Sequence, residues 1–103
     1  MSKVNLSAVI TSYDGKPMKD GGESDKDATL QSVCFGAMTA VLDGDNAMTG
    51  EEKMRAYKLT QKLVEGGEVE LSAEEITELK KRINKAYHFL VVGRAFELLE
   101  GQA

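Results

Sequence analysis

Between Asp27 and Asp43, in DATLQSVCFGAMTAVLD, the residues Leu30, Val33, Cys34, Ala37, Met38, Val41 and Leu42 fall at i, i+3, i+4, i+7, i+8, i+11 and i+12. That is the spacing of one face of an α-helix. Removing each large side chain of such a face from water is worth roughly 1.5–3 kcal/mol, so later segments of the chain must cover it. The spacing predicts a helix with its N-cap at Asp25 or Asp27 and its end at Asp43-Gly44, a glycine just past the last apolar position being the usual terminator.

Two further helix starts are written in four residues each. Thr49-Gly50-Glu51-Glu52 and Ser72-Ala73-Glu74-Glu75 are capping boxes, in which a hydroxyl and a carboxylate satisfy backbone amides at a helix N-terminus. The first opens a helix running to about Glu65 and stopped by Gly66-Gly67, with Met54, Tyr57 and Val64 on one apolar line and Ala56, Leu59 and Leu63 on an adjacent one. The second opens a helix whose buried stripe is Ile76, Leu79, Ile83, Ala86, Tyr87 and Leu90, with Glu78 placed to pair with Arg82 one turn on. Beyond His88 the segment LVVGRAFELLE is apolar on several sides, so it is either sandwiched in the core or half of an interface between chains. Gly93 within it calls for close packing or a bend.

The N-terminal residues Val4, Leu6, Ala8 and Ile10 alternate with polar neighbours, which predicts a half-buried strand. Tyr13-Asp14-Gly15-Lys16 supplies a turn, and Pro17 weakens the second arm of any hairpin because it has no amide hydrogen. The polar run 19–26 reads as a mobile connection, and Glu68 to Leu71 as a brief strand beside the N-terminal one. At 103 residues the chain is expected to be one domain, with a strand or hairpin and connection over 1–25 and a helical core over 26–100. The fold class expected is α+β, mainly α, with three to four helices packed together.

Chemistry is harder to find. Cys34 is the only cysteine and lies on the apolar face of the first helix, so it is expected to be a buried, inert thiol. His88 is the only histidine, which excludes schemes needing two, and nothing in its spacing from Cys34 makes the two a catalytic couple. If Asp43 were the first ligand of an EF-hand, Met48 would occupy the glycine position and Met54 the bidentate glutamate position, so the calcium reading fails. The acidic pairs Glu51-Glu52 and Glu74-Glu75 sit in first turns, where carboxylates complement the helix dipole. No catalytic residue, cofactor or metal is therefore expected.

A net charge of −4 disfavours general affinity for nucleic acid. One cluster, Lys80, Lys81, Arg82 and Lys85, with Arg94 further on, could still contact a polyanion if it forms one exposed face. No stretch approaches the roughly 18 consecutive apolar residues of a membrane span, and MSKVNLSAVITSYDG has no continuous apolar h-region.

YDGKPMKD near the start, MTGEEKMRAYKL in the middle and VELSAEEITELKKRINKAYHFLVVGRAFELLE at the end resemble a group of small proteins encoded by tailed bacteriophages and prophages. The resemblance implies a phage origin, a host bacterial cytoplasm and a role in morphogenesis or host interaction, with virion association left open. It brings no catalytic residue with it. The leading expectation is a non-enzymatic accessory protein acting through protein–protein contacts, possibly in virion assembly, as a homo-oligomer with Val91, Val92, Phe96 and Leu99 at the interface. A second expectation is an inhibitor of a host defence or nucleic-acid enzyme, presenting Asp20, Glu23, Asp25, Asp27, Asp43 and Asp45 as a phosphate-like surface. A third is a small DNA-binding regulator using the basic cluster.

Overall fold

The computed structural model describes residues 2–12, 14–19 and 26–101. Two short strands, β1 (Ser2–Asn5) and β2 (Glu68–Leu71), pair antiparallel with Ser2 opposite Leu71 and Asn5 opposite Glu68. Four helices complete the chain: α1 (Leu30–Thr39), α2 (Gly50–Glu65), α3 (Ala73–Ala86) and α4 (Phe89–Leu99). The α+β, mainly helical class expected from the sequence is the one observed.

The expected organising helix is central, since α1 packs against α2, α3 and α4 alike. Leu30, Val33, Cys34 and Ala37 are buried in the common core with Leu59 and Leu63 of α2, Leu79 and Ile83 of α3, and Val91, Ala95 and Leu99 of α4. Both ends of α1 differ from expectation. Its N-cap is Thr29, whose hydroxyl accepts from the Ser32 amide while the Ser32 hydroxyl accepts from the Thr29 amide. Asp27 is occupied elsewhere, in an ion pair with Lys19 at 2.9 Å. The helix ends at Thr39 because Arg82 of α3 collects the carbonyls of Ala37, Met38 and Ala40 that another turn would have used. Val41, read as part of the buried face, is consequently 93% exposed.

The N-terminal alternation survives, although the strand is short. Asn5 Oδ1 accepts from the Ser7 amide, a turn that breaks the ladder after four residues. The chain then weaves between the amides and carbonyls of Gln31, Leu30 and Ala28, which keeps Leu6 and Ile10 fully buried. A minimal hairpin follows: Ser12 donates to Lys16 O, Met18 donates to Ile10 O, and Asp14 Oδ1 accepts from the Lys16 amide. Of the connection read over 19–26, residues 20–25 lie outside the described residues, as does Tyr13 of the turn.

Both expected capping boxes form, at Thr49 with Glu52 and at Ser72 with Glu75. At the far end of α2, Gln31 Nε2 donates to the carbonyls of Leu63 and Val64 at 2.8 and 3.3 Å, so a side chain of α1 finishes α2. Only the line Ala56, Leu59 and Leu63 of α2 turns inward; Met54, Tyr57 and Val64 are more than half exposed. At the α3–α4 joint the Tyr87 hydroxyl lies so close to Gly36 that a Cβ there would overlap it.

Candidate functional site

α2 and α3 both rest on α1, and a groove of about 510 Å³ runs between them. Lys62, near the end of α2, reaches Glu75 in the first turn of α3, so the two helices pass each other in opposite directions. The floor is apolar: Leu59 is buried, and Ala56 and Met48 are half-buried. The walls are charged and of opposite sign. Past Glu52 at its start, the α2 side is lined by Arg55, Lys58 and Lys62, and the α3 side by Glu74, Glu75 and Glu78.

The spacing of each wall follows from its helix. Arg55, Lys58 and Lys62 stand at i, i+3 and i+7, one ridge beside the buried line; on α3, Glu74 and Glu75 lie four and three residues before Glu78, so each shares a side of the helix with it. Lys62 Nζ bonds to Glu75 Oε1 at 3.0 Å and to the Glu70 carbonyl at 3.3 Å, closing one end of the groove. Burial pushes the Glu75 carboxyl up, yet the Ser72 amide and Lys62 together hold it below its ordinary value. The Thr49 amide and hydroxyl do the same for Glu52 at the opposite end. Met48, Glu52 and Glu78 also line a smaller cavity of about 90 Å³, together with Asp45 and Arg82.

Sequence reasoning saw the caps that fix these helices but missed the groove. The signal is the i, i+3, i+7 spacing of cations on α2 and the acids at the start of α3, two stretches separated by a turn and a strand. Neither helix announces that the other lies beside it.

The residues singled out from the sequence are placed as follows. The basic cluster does not form one free face. Arg82 is buried, donating to the Asp45 carboxylate at 2.7 and 3.3 Å and to three carbonyls of the α1 end, and it does not make the expected pair with Glu78. Lys80 pairs with Glu100 at 2.5 Å and lies over the Phe96 ring, while Lys85 donates to the Asp43 carbonyl at 3.1 Å. Lys81 points outward. Arg94 sits on α4, and its Nε is buried without a hydrogen-bond partner. The cluster is divided because α3 turns Arg82 towards α1, something no count of cations along one helix discloses.

The proposed oligomer patch is divided too. Val91 and Leu99 face the core of their own chain, leaving Val92 and Phe96 half-buried, so the four do not make one outward surface. Gly93 is exposed with open space around it, and close packing is not its reason. Of the acidic surface, Asp27 is paired with Lys19 and Asp45 with Arg82, Asp43 is exposed, and Asp20, Glu23 and Asp25 lie outside the described residues. Asp45 has its pKa lowered from an ordinary 3.8 to about 2, first by the Arg82 hydrogen bond and then by the Leu42 amide.

Cys34 is fully buried, and that burial raises its pKa to about 12. His88 is exposed and is the N-cap of α4, its Nδ1 accepting from the Leu90 amide at 3.3 Å. Cys34 is thus closed in the core while His88 is open to solvent. Among the described residues no helix is long and apolar enough to cross a membrane, and no group of three or more His, Cys, Asp or Glu is placed to hold a metal ion. Compared with known proteins, the chain matches no family model, no curated protein and no solved structure.

Proposed function

We propose that this chain is a non-enzymatic accessory protein of a tailed phage or prophage, working in the host cytoplasm by binding another protein through the α2–α3 groove. The observation that carries the reading is the groove itself: an open apolar floor between walls of opposite charge. Water-exposed apolar surface of this kind is a common mark of protein contact. The phage origin rests on the sequence resemblance alone. A polyanion reading is supported less well, because three carboxylates face the three cations of the groove and Arg82 is spent inside the protein.

The test is a photo-reactive amino acid placed at Ala56 on the groove floor, with Thr77 on the exposed face of α3 as control. In host cells carrying the phage genome, irradiation is expected to give a discrete protein adduct from position 56 and none from position 77. Adducts to nucleic acid, or equal protein labelling from both positions, would overturn the reading.

A further inference from the structure

The groove restricts what chemistry can fill it. Its floor offers aliphatic contact at the half-buried Met48 and Ala56, over buried Leu59, and is flanked by wall carboxylates and cations. Lys62 and Glu75 neutralise each other at one end; Arg55 and Lys58 on one side, and Glu74 and Glu78 on the other, have no such bond across the groove. An occupant with two acidic edges would meet Glu74 and Glu78, and one with two basic edges would meet Arg55 and Lys58. Like charges held together in this way cost affinity and are a means of rejecting wrong partners.

The span also matters. From Glu52 to Lys58, short of the Lys62–Glu75 bond that closes one end, the α2 side of the groove rises six residue steps, roughly 9 Å at 1.5 Å per residue. That accommodates nearly two turns of a docked helix, the mode in which an amphipathic helix lays apolar anchors at i and i+3 or i+4 into an apolar groove.

Resting on the protein-binding reading above, we propose that the groove takes a single amphipathic helix of a partner protein, apolar along its seam, acidic along the edge beside α2 and basic along the edge beside α3. The wall charges then set the direction in which that helix runs. Turned end for end, the same helix would set its acidic edge against Glu74 and Glu78.

Three synthetic helical peptides with one shared apolar seam test this by fluorescence polarisation against the full chain: one with an acidic and a basic edge, one acidic on both edges, one basic on both. The mixed peptide is expected to bind at least tenfold more tightly than the other two, and progressively more weakly as salt is raised. In the Arg55→Glu/Lys58→Glu variant both walls become acidic, and the preference should pass to the doubly basic peptide. Both positions are exposed, and circular dichroism checks that the variant keeps its helices. Equal binding of the three peptides, no binding by any, or a preference that stays put in the variant would overturn the inference. Self-association of the wild type that the double variant abolishes would overturn it too, by making a second copy the occupant. If these peptides fail while position 56 still captures a protein, the helix and its charges are wrong and the protein-binding reading stands.

Discussion

α2 and α4 hold to the same core by opposite means. α4 is apolar on several sides and is fastened by a buried stripe, Val91, Ala95 and Leu99, with only a histidine at its N-cap and no acidic residue in its first turn. α2 buries just Leu59 and Leu63 and is fastened mainly at its ends: a full capping box at Thr49, the Arg82–Asp45 clamp on the turn that leads into it, and Gln31 on its last carbonyls. A helix secured at its ends is free to show the rest of its surface. That is why α2, the more polar of the two, carries Met54, Tyr57 and Val64 outward and supplies a wall of the groove.

The largest effect should separate the two helices directly. Leu99→Ala removes a side chain that is 2% exposed and should cost about 3 kcal/mol in urea unfolding, whereas Met54→Ala on the open face of α2 should cost less than about 0.5 kcal/mol. A Met54→Ala cost near that of Leu99→Ala would break the contrast and require something to cover the outer face of α2.

The clamp comes next. Arg82→Met keeps the volume but leaves the carbonyls of Ala37 and Ala40 without their donor, at about 2 kcal/mol by urea unfolding at pH 7. Asp45 sits at about 2 in the folded chain against an ordinary 3.8, so its contribution is complete above about pH 4 and is lost as pH falls towards 2. The difference between wild type and Arg82→Met should therefore narrow across that window; a constant difference from pH 6 to 2 would show that Arg82 acts through the carbonyls alone.

The smallest effect has the opposite sign. Gly93 lies inside α4 with nothing near where a Cβ would stand, and its φ is not left-handed, so Gly93→Ala should stabilise by about 0.5–1 kcal/mol. A loss of stability in thermal unfolding would mean that α4 needs a bend at that point.

What could be read in advance follows the range of each interaction. Capping boxes act within four residues, so the starts of α2 and α3 were legible, as were the Gly66-Gly67 stop and the buried faces of α1 and α3 apart from Val41, exposed past the end of α1, and Leu90, which belongs to α4 because the chain breaks at Tyr87-His88. Thr29 with Ser32 was overlooked as a cap because acids nearby, Asp25 and Asp27, looked like better ones. Arg82 was hidden for another reason. Its partners lie 37 to 45 residues away, and in sequence it is one cation among four. The same distance hid the groove, whose two walls belong to helices that are each unremarkable alone. Which of the two apolar lines of α2 turns inward, and which side of α4 meets the core, were not legible, because periodicity gives the existence of a face and not the neighbour that covers it.

The pairing of Ser2–Asn5 with Glu68–Leu71 has a consequence for how the protein is made. At 5–20 residues per second, a ribosome needs roughly 3–14 s to go from one to the other. The first strand synthesised thus waits, edge bare, until most of the chain has emerged, and helices that find their caps locally will already have started without it.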